Sequence, residues 1–349
     1  MTQDKQIAVG MVGFGLAGNI LHAPVIEAVP QLRLAAVVTS RAEEVARRFP
    51  EARVLATPEA LLADSSIDLV VVVTPNELHG DLARAALLAG KHVVVDKPFV
   101  VHASDGVALQ ALAQDKGRLL TVFHNRRWDS DFLTVRHLLE LGRLGDVKLV
   151  ECCWDRFRLQ LKGGWREQAR AGSGLLADLG PHMIDQVRLL FGWPEAVGAD
   201  IETQREEAVV DDYFSLTLYY RSLQVRLSAS MVVAQPRPRF ALYGTKASFV
   251  KFGIDPQEAT LRADGWPTDG DYGVEPSETR GTLTLATGQA EVVETVRGDW
   301  REFYRGVARA VLEGAPAPVP ADDAIAGLRL IELARQSAHQ RAVLPFTVE

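Results

Sequence analysis

The fold is decided between residues 7 and 18: Ile7-Ala8-Val9-Gly10-Met11-Val12-Gly13-Phe14-Gly15-Leu16-Ala17-Gly18. Six uncharged residues of strand character run straight into a complete G-x-G-x-x-G, and the stretch 18–29 that follows has helical spacing. Strand, glycine turn and helix in that order form the opening unit of a dinucleotide-binding α/β fold. Each glycine has a separate task. Gly13 makes the tight turn, Gly15 leaves bare backbone for a pyrophosphate, and Gly18 lets the helix pack closely on the strand. The pyrophosphate then lies on the helix N-terminus, where unpaired N–H groups and the positive dipole end favour an anion. Phe14 and Ala17 belong to the same turn and are expected to contact the cofactor with the glycines.

Downstream, apolar runs at 32–39, 69–73, 92–95 and 119–123 alternate with helical spacing at 42–49, 77–89 and 103–116. Unbroken Val, Ile and Leu runs indicate strands covered on both faces, so a doubly wound parallel sheet is predicted, ending near residue 124. The pattern then changes. Segments 147–154, 196–203, 213–220, 224–233 and 239–242 alternate in polarity or are rich in β-branched and aromatic residues, which predicts a mostly antiparallel open sheet. One helix, 174–191, interrupts it. The Gly-, Pro- and Asp-rich segment 255–281 reads as a long loop, and helices are expected at 300–313 and 322–340. At 349 residues the chain exceeds one comfortable core. The expected division is a dinucleotide-binding domain at 1–124 and an α+β substrate-binding and oligomerisation domain at 125–349, whose C-terminal helices can pack back on the first.

Composition narrows the partners. With 47% hydrophobic and 24% charged residues the chain is expected to fold throughout, and a net charge of -7 argues against nucleic acid. Thr2, Gln3, Asp4, Lys5 and Gln6 lack the order of a signal peptide, and no apolar stretch approaches the ~20 residues of a membrane span. A cytoplasmic protein without membrane contact is expected. Cys152 and Cys153 are neighbours on a strand and point to opposite faces, so they read as packing residues in a reducing compartment. His22, His79, His92, His102, His124, His137 and His339 show no ligand spacing, and no metal is expected.

The end of the second strand bears on the choice of nicotinamide cofactor. NAD enzymes usually place Asp or Glu there, about 20 residues past the glycines, to bind the ribose 2′-hydroxyl. Here the stretch is Val38-Thr39-Ser40-Arg41. A carboxylate would repel a 2′-phosphate, whereas Ser40 and Arg41 can hydrogen-bond it, the arginine with charge assistance. NADP(H) is the expected cofactor, with NAD the weaker alternative.

Further motifs follow at later strand ends: Thr74-Pro75-Asn76 with His79, then Asp96-Lys97-Pro98, then Asn125-Arg126-Arg127-Trp128. The longest is Gly172-Ser173-Gly174-Leu175-Leu176-Ala177-Asp178-Leu179-Gly180-Pro181-His182-Met183-Ile184-Asp185. In this order, and over essentially the whole chain, they resemble the glucose–fructose oxidoreductase, inositol dehydrogenase and MocA family, most of all its NADP-dependent scyllo-inositol dehydrogenase branch. The resemblance implies a Rossmann domain followed by a sheet domain for substrate. It implies that Lys97 is the active-site lysine, preceded by Asp96 where Glu is commoner, that Lys97–Pro98 is cis, and that Asp178 and His182 are the catalytic pair. Thr74, Asn76, His79, Asp96, Asn125 and Arg127 are assigned with Lys97 to the cofactor side, although an interdomain ion pair is an equal alternative for Arg127.

These residues suit alcohol oxidation, which needs a hydride acceptor and a base within ~2.6–3.2 Å of the hydroxyl proton. His182 can take and return a proton near neutral pH. Asp178, four residues earlier, shares its helical face, and Asp185, three residues later, extends it. Pro181 means that the helix either begins near it or bends there. Lys97 follows a buried strand and can polarise the substrate oxygen. Trp154, Asp155, Trp165 and Arg166 are candidate substrate contacts. The expected activity is hydride transfer on a cyclitol or sugar; the alternatives are a sugar 1-dehydrogenase, a keto-sugar or dihydrodiol reductase, or a non-catalytic NADP sensor. A homodimer or homotetramer is expected through an apolar open face of the second sheet.

Overall fold

The structure is a computed structural model that describes residues 6–348; residues 2–5, read above for a leader, lie outside the described residues. Six parallel strands come first: β1 (Ile7–Val12), β2 (Leu32–Val38), β3 (Arg53–Leu55), β4 (Leu69–Val72), β5 (His92–Val95) and β6 (Leu120–Val122). Their order is β3-β2-β1-β4-β5-β6, the doubly wound arrangement, with the chain reversing direction across the sheet at β1 and β4. The Val-rich strands β1 and β4 are buried at every position, as helices on both faces require. Those helices are α1 (Ala23–Glu27), α2 (Ala42–Arg48), α3 (Pro58–Leu62), α4 (His79–Leu88) and α5 (Ala103–Lys116).

The chain continues through α6 (Ser130–Glu140), β7 (Val147–Cys153), α7 (Leu175–Phe191), β8 (Ala196–Glu202), β9 (Tyr213–Tyr219), β10 (Gln224–Ser230), β11 (Phe240–Gly244) and β12 (Ala247–Lys251). Then come α8 (Gln257–Arg262), β13 (Thr282–Leu285), β14 (Ala290–Val292), α9 (Arg301–Glu313), α10 (Ala321–Gln340) and β15 (Leu344–Pro345). Strands β7 to β15 form one nine-stranded sheet, β14-β13-β12-β11-β7-β10-β9-β8-β15, in which only the β7–β10 pair is parallel. The predicted loop at 255–281 is corrected: it contains α8 and a short 3₁₀ turn, Ser277–Thr279. Helix α6 and the short strands β12, β13 and β14 were not foreseen.

Two compact units result. The first holds the chain up to Asn125 together with two returning segments, Gln257–Tyr272 and Asp299–Ile325. Trp300, Phe303, Tyr304 and Val307 enter its core at 0% exposure, and Trp266 sets its ring 5.9 Å from Phe49. The second unit holds Arg126–Pro256, Gly273–Gly298 and Ala326–Glu349. One face of its sheet is buried with the apolar sides of α6, α7 and α10 in a cluster that includes Phe132, Leu179, Met183, Phe214, Leu227 and Leu330. The opposite face departs from expectation. Alternation along β9 and β10 sends Tyr213, Ser215, Thr217 and Tyr219 there with Arg226, which pairs with Glu151, so that face is mixed rather than apolar.

Candidate active site

At the end of β1 the three glycines divide the work as their positions demand. Gly13 has φ 102°, and a Cβ there would sit 2.2 Å from the Val73 carbonyl oxygen. At Gly18 a Cβ would fall 2.5 Å from the Gly13 oxygen, whereas at Gly15 nothing lies within 4 Å. The residues therefore fit a dinucleotide: Gly15 presents open backbone at the mouth of a helical segment, which begins with the π-type turn Ala17–His22. Phe14 turns its ring inward against Phe49, so it offers a ligand only main chain. Past β2, Ser40 is exposed, and Arg41 lies 3.6 Å from Glu44 in an open surface pair, an interaction weak enough for the guanidinium to change partner.

The loops after β4 and β5 are tied together by His79. It is fully buried, with Nδ1 2.8 Å from the Pro98 carbonyl oxygen and Nε2 2.9 Å from that of Thr74. Asn76 is buried beside it in sequence. Lys97–Pro98 is cis. Oδ1 of Asp96 accepts the Lys97 backbone N–H at 2.8 Å and lies 3.5 Å from His22 Nε2. Burial pushes the Asp96 carboxyl up, but the His22 contact and the charges of His22, Lys97 and His79 outweigh it, and the net shift is downward.

In the second unit, α7 starts at Leu175, where the carbonyl and carboxylate of Asp211 accept the Leu175 and Leu176 N–H groups at 2.8 and 2.7 Å. The helix then runs through Pro181 without interruption, so its start is not at the proline. Asp178 and His182 stand one turn apart on it. Asp178 is partly exposed, and its Oδ1 is 3.3 Å from Nε of Arg166, whose guanidinium lies 4.5 Å over the Trp165 ring. His182 is buried, with its ring 6.2 Å from that of Trp154. Thus Asp178 is joined by Arg166 and Trp165, and His182 by Trp154.

Asp155, next in the chain after Trp154, is held by the Arg237 fork at 2.8 and 2.7 Å. Arg127 forms a buried two-pronged pair with Asp185, Nε–Oδ2 2.8 Å and Nη2–Oδ1 2.6 Å, and both residues belong to the second unit. The pair is therefore not a contact between units, and Asp185, on the helical face it shares with Asp178 and His182, is engaged by Arg127. Asn125 is buried and opens the 3₁₀ turn Asn125–Trp128.

Arg126 and Arg239 were not among the residues expected near Trp154. The guanidinium groups of Arg126 and Arg239 lie 4.9 and 4.8 Å from the Trp154 ring, whose buried indole N–H has no acceptor. Arg239 also donates to Gln186 and to the Cys152 sulfur. A charged residue leading a strand-like run, as Arg239 does at 239–242, was the available signal. Both cysteines are free; burial pushes the Cys152 thiol up and that of Cys153 to about 12. Among the described residues no group of three His, Cys, Asp or Glu is arranged to hold a metal, and no helix is long and apolar enough to cross a membrane.

Comparison with known proteins agrees over the length of the chain. Residues 7–124 match the oxidoreductase family's NAD-binding Rossmann fold, and residues 136–347 match its C-terminal alpha/beta domain. The chain is 40% identical to scyllo-inositol 2-dehydrogenase (NADP(+)) IolW of Bacillus subtilis over 341 residues, 97% of this chain and 95% of that one. Among solved structures it superposes on the yvaA protein of Bacillus subtilis with TM-score 0.95 at 38% identity, covering 99% of this chain and 100% of that one. An oxidoreductase from Bacillus cereus follows it with TM-score 0.90 at 30% identity, covering 99% of each. The chain belongs to the glucose–fructose oxidoreductase, inositol dehydrogenase and MocA family and is an NAD(P)-dependent oxidoreductase acting on CH–OH groups.

Proposed function

We propose that this protein uses NADP(H) to interconvert a secondary alcohol and a ketone on a cyclitol or sugar, in the manner of a scyllo-inositol dehydrogenase. The observation that carries this is the buried imidazole of His182 one turn from the Asp178 carboxylate, next to a tryptophan whose indole N–H has no acceptor. An imidazole can remove a hydroxyl proton and return it, and a carboxylate beside it can accept a second hydroxyl of the same substrate and fix its orientation. The Trp154 N–H, which has no acceptor, is a donor for a further hydroxyl, and the partly exposed Trp165 ring suits the C–H face of a polyol. A bound nicotinamide dinucleotide supplies the hydride acceptor. The Gly13–Gly18 turn holds its pyrophosphate, Ser40 and Arg41 bind a 2′-phosphate, and Lys97 polarises the reacting oxygen. The likeness to an enzyme named for scyllo-inositol and NADP(+) supports the same assignment.

The test is steady-state kinetics with NADP and NAD on scyllo-inositol, myo-inositol and glucose. NADP is expected to win by at least about tenfold in kcat/KM, the scale of one charge-assisted hydrogen bond, and Arg41→Glu to remove that preference. Lys97→Ala is expected to retain no more than a few per cent of activity. Tight NADPH binding with no absorbance change on any polyol or sugar would identify a sensor instead and refute the assignment.

A further inference from the structure

We propose that Tyr304, His22 and Asp96 form a buried positioning chain for Lys97, in which the tyrosine hydroxyl fixes the imidazole, the imidazole holds the carboxylate, and the carboxylate holds the main chain at the lysine. The catalytic meaning of this chain rests on the role given to Lys97 above; its existence does not.

The contacts run in one line. Tyr304 Oη lies 2.7 Å from His22 Nδ1, His22 Nε2 lies 3.5 Å from Asp96 Oδ1, and the same oxygen accepts the Lys97 N–H at 2.8 Å. His22 and Tyr304 are both fully buried. A carboxylate only accepts, so Nε2 is the nitrogen that carries hydrogen toward it. In a singly protonated ring Nδ1 is then the acceptor for the tyrosine O–H; the Tyr304 and Lys97 links are hydrogen bonds, while Nε2 and the Asp96 carboxylate, 3.5 Å apart, meet as an electrostatic contact just beyond hydrogen-bond geometry. The surroundings are aromatic: His22 stacks 3.9 Å from Phe123, and Tyr304 meets Phe303 edge-on at 5.1 Å. Leucine or phenylalanine would fill such a pocket without burying polar atoms, so packing alone does not account for these residues.

The backbone is shaped to the same end. His22 is delivered by the π-type turn that begins at Ala17, directly after the glycine loop, and such wide turns recur at functional sites. Electrostatics agrees. His22, Lys97 and His79 hold the Asp96 carboxyl low against its burial, while burial and the Asp96 charge push the Tyr304 hydroxyl well above its usual value and keep it a donor. Without His22 two of the contributions that hold the carboxyl low are gone, so Asp96 is expected to ionise at higher pH.

The experiment uses the full-length protein with aspartate carboxyls labelled with carbon-13, the Asp96 resonance being assigned with Asp96→Asn. In the wild type this carboxyl should titrate below the ordinary value of about 3.9. His22→Phe, which keeps a stacked ring, should raise the midpoint by about one pH unit or more. Tyr304→Phe should raise it less, and His22→Gln, which restores an N–H donor, should bring it back. The acid limb of kcat/KM should move in parallel, with urea unfolding reporting that each variant is folded. An unchanged Asp96 midpoint in folded His22→Phe, or an acid limb that stays put while the midpoint moves, overturns the proposal. If the midpoint moves as stated but no polyol or sugar is oxidised, the contacts stand and it is the proposed function that fails.

Discussion

Arg127 and Asp185 show how a residue can be recognised in a sequence while its role is not. Both are less than a tenth exposed and meet through two short contacts. Removing one partner from such a pair leaves a charge in a low dielectric, whereas replacing both with apolar groups removes the difficulty altogether. Arg127→Ala is therefore expected to lose about 3–5 kcal/mol in urea unfolding, and Arg127→Met with Asp185→Leu to lose far less. Lys97, Asp178 and His182 were singled out because the motifs around them, Asp96-Lys97-Pro98 and 172–185, resemble those of the family. The partner of Arg127 was not legible, since 58 residues separate it from Asp185. The same limit is sharper at His22, whose hydroxyl neighbour Tyr304 lies 282 residues away. Spacing along a chain reports neighbours within a helix or strand, and carries nothing about side chains brought together by folding.

Among the elements, the turn after β1 separates two duties that one motif combines. A methyl group at Gly13 meets a carbonyl oxygen and a backbone φ that resists any side chain, while at Gly15 it meets empty space. Gly13→Ala is expected to lower the melting temperature and NADPH affinity together. Gly15→Ala should leave the melting temperature within a degree or two and still weaken NADPH binding by tenfold or more, because the methyl takes the room meant for phosphate; calorimetry and nucleotide fluorescence read the two effects. Buried elements were the legible ones. Strands β1, β4 and β5 announce themselves as Val-rich runs, and α7 is readable across Pro181 because its apolar positions keep helical spacing on both sides. Strand β13 and the edge strand β14 have only four and three residues, too short for alternation to register. Helix α8 hid in a Gly- and Pro-rich stretch whose composition describes its flanks, not its six helical residues.

At the scale of the molecule, sequence order and spatial order diverge. The six-stranded sheet is complete by β6, yet the unit containing it also needs Gln257–Tyr272 and Asp299–Ile325. Thr121 on β6 donates its hydroxyl to the Val319 carbonyl at 2.7 Å, and Phe123 meets Phe303 edge-on at 4.9 Å. Burying Trp300, Phe303, Tyr304 and Val307 contributes roughly 1.5–3 kcal/mol each, a sum comparable with the ~5–15 kcal/mol that holds a whole domain together. A fragment ending at residue 125 is thus expected to lack a cooperative thermal transition and to leave NADPH fluorescence unchanged, while the full chain shows both. This dependence also sets a timetable. A ribosome extends its product from the N-terminus, so the glycine loop and all six parallel strands emerge while the rings that close over His22 and Phe123 are still untranslated. The core of the first unit must wait, incompletely packed, until Asp299–Ile325 has been translated.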